Sequence, residues 1–206
     1  MFKTIEENVT FELVQKKSRF IADVFYVESK EEAEAKIKEI KRKYHDAKHH
    51  CFAYSVFEEN GKLDRFSDDG EPSGTAGSPM LNILTSNNLS NVVAIVTRYF
   101  GGILLGTGGL VRAYSDALQG AIEKANIANK DLGYIAEFTV SYSDSEKIKY
   151  FFEQQKIKII DTNFGENVKF QVEIQKDKYN EIENNKNELK FNVLENNIIR
   201  ESYILI

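Results

Sequence analysis

Between Phe66 and Ala117 the chain reads FSDDGEPSGTAGSPMLNILTSNNLSNVVAIVTRYFGGILLGTGGLVRAYSDA, and this stretch limits the fold more than any other. An acidic turn, Asp68-Asp69-Gly70-Glu71-Pro72, runs into a small-residue segment. An apolar strand then follows, Val92 to Val96, and ends in Thr97, Arg98, Tyr99 and Phe100. Next come Gly101, Gly102, Gly106, Gly108 and Gly109, around Thr107. A chain keeps glycines this close together only where backbone takes positive φ or passes close to another group, because each costs conformational entropy. A strand that passes through glycines into a helix presents unpaired amides and the positive end of the helix dipole, which favour an anion. Arg98 and Arg112 are the cations nearest in sequence, and a planar guanidinium suits phosphate oxygens. The spacing matches neither G-x-x-x-x-G-K-[ST] nor G-x-G-x-x-G, so neither nucleotide fingerprint applies. The competing reading is that the glycines only let a helix pack closely on a sheet.

The acidic turn also reads two ways. Asp68, Asp69 and Glu71 would supply oxygen ligands to a hard cation such as magnesium. Asp-Gly followed by Glu-Pro is also ordinary turn chemistry, with glycine supplying positive φ and proline fixing its own. The turn reading is preferred, and no metal is assigned. An EF-hand loop is excluded, because no D-x-[DN]-x-[DN]-G run leads to a distal glutamate. If these carboxylates act, they shape an edge beside the glycine bend, meeting a partner's basic groups or helix N-termini, or pairing with Arg98 or Arg112.

The runs DDGEPSGTAGSPML and VTRYFGGILLGTGGLVRAY resemble the signature of the IMPACT family, and the length resembles its bacterial two-domain YigZ branch. KKSRFIA (Lys16 to Ala22) and AKHHCFAYSV (Ala47 to Val56) support the match, which covers the first two thirds of the chain. The resemblance implies an N-terminal domain (1–130) of the ribosomal protein S5 domain 2-like fold, as in domain IV of elongation factor G. It implies a C-terminal ferredoxin-like domain (134–206) and thus an α+β protein. Eukaryotic relatives regulate translation by interfering with activation of the general control kinase. They do so with an upstream RWD domain that this sequence lacks, so that partner does not carry over.

The 206 residues suit one large or two small domains, and 42% hydrophobic with 29% charged residues is normal for a globular chain. No apolar run is long enough to span a bilayer, and the N-terminus lacks the apolar core of a signal peptide. A single cysteine agrees with a reducing cytoplasm. A net charge of -5 argues against gripping nucleic acid through the overall field, so RNA contact needs a local patch. Lys16, Lys17 and Arg19 on a turn between strands are that secondary basic patch. The lysines of the first helix alternate with glutamates, as on any solvated face. His49, His50 and Cys51 lack the further ligands zinc would need and the oxyanion donor a cysteine nucleophile would need.

Patterning supplies the elements. Strands are expected at Thr10–Val14 and Arg19–Val27, then a helix capped by Ser29 and Glu32. A hairpin of Cys51–Phe57 and Leu63–Phe66 turns at Asn60 and Gly61. A helix buries Leu110, Tyr114, Ala117, Leu118, Ala121 and Ala125. A boundary is expected near Asn129 to Gly133. Beyond it come a strand (Ile135–Tyr142), a helix capped by Ser143 and Glu146, strands at Lys158–Asn163 and Val168–Gln175, a helix at Lys178–Leu189, and a strand within Phe191–Ile206. The order βαββαβ is that of a ferredoxin-like sandwich. The functional expectation is a non-enzymatic, translation-linked binding protein without cofactor. Its partners would be RNA, the ribosome or a regulatory protein, with neither a membrane nor DNA sequence readout involved. The rival is an enzyme acting on a phosphorylated small molecule, with the acids holding magnesium.

Overall fold

The structure, a computed structural model, describes residues 1–58 and 61–206. The chain divides into two compact units, Phe2–Ala128 and Asn129–Ile206, the latter including Met1. In the first unit the elements are β1 (Phe2–Ile5), β2 (Val9–Gln15), β3 (Ser18–Tyr26), α1 (Lys30–Lys43), β4 (His49–Glu58), β5 (Gly61–Ser67), α2 (Gly77–Ser86), β6 (Val92–Tyr99) and α3 (Thr107–Lys124). Of the expected hairpin turn, Asn60 lies outside the described residues, and Gly61 opens β5.

The sheet runs β2-β3-β6-β4-β5, with every neighbouring pair antiparallel. Strands β3 and β4 are therefore parallel to each other, and β6 lies between them. This position explains why Val92 to Val96 is one unbroken apolar run. Val92, Ala94 and Val96 pack with Met80, Leu84, Leu110, Tyr114 and Leu118 of α2 and α3. Val93 and Ile95 face the other way, onto Ala33, Ile37 and Ile40 of α1. A strand covered on both faces has no polar side to show.

Helix α1 starts as its cap predicts, with the Glu32 amide donating to Ser29 Oγ at 3.2 Å. The Glu32 carboxylate instead accepts the Glu28 amide at 2.8 Å, one residue earlier than the reciprocal bond of a capping box. Two elements go beyond the local patterning of the sequence. Strand β1 is short, and α2 lies in what reads as small-residue chain. Helix α2 has no side-chain cap of its own at Ala76. Asp68 supplies one from eight residues upstream, accepting the amides of Gly74 (2.8 Å), Ala76 (3.0 Å) and Gly77 (2.8 Å).

The second unit contains β7 (Ile127–Val140), α4 (Ser145–Gln154), β8 (Lys158–Phe164), β9 (Val168–Gln175), α5 (Lys176–Asn184) and β10 (Val193–Leu205). Its antiparallel order β10-β7-β9-β8 is the 4-1-3-2 arrangement of a ferredoxin-like sandwich, closed around Phe138, Phe152 and Phe170. Residues 129–133 lie inside β7 and form no loop. Gly133 is tolerated there because Ile204 and the Ile174 carbonyl crowd the space a Cβ would fill. The expected capping box at Ser143 does not form. Helix α4 begins at Ser145, and the Ser143 hydroxyl pairs with that of Ser141 at 2.8 Å.

Candidate functional site

The three motif carboxylates are committed within the fold, each to a different task. Asp68 caps α2. Asp69 accepts the His50 amide at 2.7 Å and the Lys41 ammonium at 2.7 Å. Burial would raise its carboxyl, but Lys41 and the His50 amide outweigh that and hold it below the ordinary value. Glu71 is buried, and one of its oxygens accepts from Arg98 Nη1 (2.6 Å) and from the Tyr114 hydroxyl (2.9 Å). Burial first, and the nearby Cys51 and Glu71 after it, push the Tyr114 phenol far up. Of the expected alternatives, pairing with Arg98 is the one that forms, and the edge open to a partner is corrected: these groups rivet the 68–77 segment onto β4, β6 and α3. Among the described residues, no group of three or more histidine, cysteine, aspartate or glutamate side chains is placed to hold a metal ion.

Arg98 needs a matching correction. It is only 7% exposed, and its guanidinium lies between the rings of Phe20 and Phe100, 5.5 Å from each centroid. A buried guanidinium must be paired, and Glu71 is its partner. Its Nη1 is therefore not free for an anion shared with Arg112, which lies exposed on α3. Neighbouring Cys51 is equally unavailable. It is buried and donates to the Asp68 carbonyl at 2.9 Å, and burial pushes its thiol up to about 12. His50 is also closed off, donating through Nε2 to the Tyr44 carbonyl at 3.0 Å.

The glycine bend itself stays open. Gly106 has φ +74° and serves as N-cap of α3, whose first turn, Thr107-Gly108-Gly109, has no side-chain cap. Thr107 and Gly108 are exposed. Gly101 has a purely internal reason: a Cβ there would overlap the Lys17 carbonyl, and its amide donates to Ser18 Oγ at 3.1 Å. Gly108 has none. Its φ is not in the left-handed region, and a Cβ would meet nothing within 4 Å.

The contact of Gly101 with Lys17 and Ser18 brings two sequence-distant candidates together. The β2–β3 turn places Lys16 (φ 46°) and Lys17 (φ 64°) beside the glycine loop, both exposed. Arg19 pairs with Glu12 at 2.9 Å and lies 5.4 Å over the Tyr99 ring. The loop adds a feature that sequence reasoning missed: Phe100, Ile103 and Leu104 are exposed, Leu104 by 81%. Apolar residues set among glycines with no helical or strand period were the available signal.

The fold and this surface define a two-unit α+β protein with an exposed basic and apolar loop cluster at the uncapped start of α3. The chain belongs to the IMPACT family. The model of the Impact N-terminal domain matches residues 16–122, and a domain of unknown function (DUF1949) matches 138–185. IMPACT family member YvyE of Bacillus subtilis is 36% identical over 91% of this chain and 89% of its own length. IMPACT family member YigZ of Escherichia coli is 38% identical over 72% of this chain and 74% of its own. A solved structure described as that of a hypothetical protein is 32% identical, with a TM-score of 0.63, covering 94% of this chain and 97% of that one. The fold class expected from the resemblance therefore stands. Among the described residues no helix is long and apolar enough to cross a membrane.

Proposed function

We propose that this is a non-enzymatic binding protein linked to translation, which contacts the ribosome through its RNA by the motif surface of the first unit. Membership of the IMPACT family supports the link to translation, since the family's eukaryotic members are expected to regulate it. One observation carries the choice of surface: Gly108, in the uncapped first turn of α3, is a glycine that neither φ nor packing requires. An approaching phosphate would require it, because only a bare backbone lets an anion reach the amides of a helix start. The basic turn at Lys16 and Lys17 stands beside the same loop, and Arg112 projects one turn further on.

Gly108→Asp is the informative variant. A carboxylate at a helix start favours the helix, by about 0.3–1 kcal/mol, while occupying the place of an incoming anion. The variant should be at least as stable as the parent yet lose salt-sensitive co-sedimentation with ribosomes. Binding that survives nuclease treatment would point to a regulatory protein as the partner. Co-sedimentation unchanged by Gly108→Asp and by Arg112→Ala would refute the assignment of this surface.

A further inference from the structure

A cavity of about 340 Å³ opens beside the loop cluster, lined by Asp46, Lys48, His49, Arg98, Tyr99 and Phe100. Its volume lies within the roughly 300–1,000 Å³ usual for small-molecule sites. The chemistry of the walls is divided. Lys48 is exposed and supplies a mobile ammonium. His49 has its Nδ1 2.9 Å from the Asp69 carbonyl. A carbonyl only accepts, so Nδ1 carries the proton and Nε2 is left for a ligand. Arg98 is more than nine-tenths buried, and although Nη1 is taken by Glu71, its Nε–H has no acceptor among the described residues. A buried charged donor without a partner is rare enough to call for a missing acceptor.

The other walls suit the remainder of a ligand. Phe100 is 55% exposed, with Arg98 held near its ring, so a planar group can stack against it. Asp46 accepts the Tyr99 hydroxyl at 2.7 Å, which holds its carboxyl below the ordinary value and leaves it acceptor-only at neutral pH. A carboxylate of this kind takes hydroxyl donors such as those of a ribose.

We infer that this cavity is a binding site for a phosphate monoester that carries a sugar and a planar ring, a nucleoside monophosphate being the simplest. Lys48 and Arg98 meet the phosphate, His49 Nε2 and Asp46 accept from the sugar hydroxyls, and Phe100 meets the ring. The site does not rest on ribosome contact and survives the loss of that reading. Binding and not turnover is assigned.

Calorimetric titration of the purified full chain tests it, with adenosine 5′-monophosphate, adenosine and inorganic phosphate as probes. The monophosphate should bind, and adenosine should bind on the order of tenfold or more weakly, as expected for the loss of hydrogen bonds to a charged group. Lys48→Glu, at an exposed position that leaves the fold intact, should weaken the monophosphate by a similar factor. Phe100→Ala should weaken the monophosphate but not inorganic phosphate. Competition by a short oligoribonucleotide identifies the source. A 5′-phosphorylated strand that displaces the monophosphate better than its 5′-hydroxyl form assigns the site to strand ends, and equal displacement assigns it to free nucleotides. Absence of monophosphate binding at millimolar concentration overturns the inference, as does an isotherm that Lys48→Glu leaves unchanged.

Discussion

At the level of single residues, Glu71 accepts from both Arg98 and Tyr114 in a site closed to water, which makes it the keystone of the first unit. Removing one member of a buried pair strands the other, so Glu71→Ala should cost about 3–5 kcal/mol in urea denaturation. The double change Glu71→Leu with Arg98→Met removes both charges and should cost less than the sum of the single changes. Strict additivity would show that the two side chains do not depend on each other. Asp69 gives a pH signature. Its folded carboxyl sits below the ordinary value of 3.8, so the unfolded chain binds the proton first as pH falls. The stability it contributes is full above that ordinary value and disappears as pH drops through the depressed folded one. Asp69→Asn should lose stability near neutrality and flatten this acid limb. An acid limb identical to the parent's would mean that the Lys41 contact contributes nothing to folding.

Secondary-structure elements show where sequence logic holds and where it stops. The β6 strand, the apolar stripe of α3 and the βαββαβ order were readable, because an apolar run, a 3.6-residue period and a succession of such patterns are all local signals, whereas the burial of β6 on both faces was not. Helix α2 was not readable, since its cap, Asp68, lies eight residues before Ala76 and no local rule reaches that far. The sequence leaves open which motif acid pairs with Arg98 or Arg112, because Glu71 is brought to Arg98 only by the pairing of β4 and β6 and the folding-back of the 68–77 segment. The glycines separate into two classes in the same way, and substitution should distinguish them. Gly108→Ala should stabilise the protein by about 0.5–1 kcal/mol, since alanine is the better helix former and its methyl group meets open space. Gly101→Ala should destabilise it by about 1–3 kcal/mol through overpacking against Lys17. Equal effects in thermal denaturation would remove the ground for treating Gly108 as a surface kept bare for a ligand. The β2–β3 turn repeats the logic, since Lys16 and Lys17 occupy left-handed φ values that favour Asn-Gly.

For the molecule as a whole, the net charge of -5 determines how any contact with RNA must behave. A chain of this sign repels a polyanion at long range and attracts it only where cations gather locally. The available cluster is small: Lys16, Lys17, Arg19 and Arg112 flank the glycine loop, and Arg98 is withdrawn into the core by Glu71. Each phosphate neutralised on a single strand contributes about -0.7 to the slope of log K against log salt, so four cations allow a slope no steeper than about -3. Exchanging Lys16 and Lys17 for Asn and Gly should relieve the turn and raise stability by about 1–2 kcal/mol. It should also bring the limiting slope to about -1.4, because two phosphate contacts are lost. The parent and the exchanged protein are compared by filter binding to a ribosomal RNA fragment across a salt series. A parent slope well beyond -3 would mean that RNA is held by a surface other than the one built around α3. A slope unchanged by the exchange would remove the lysine turn from the interface, leaving the α3 amides, Arg19 and Arg112 as the remaining anion contacts of the loop cluster.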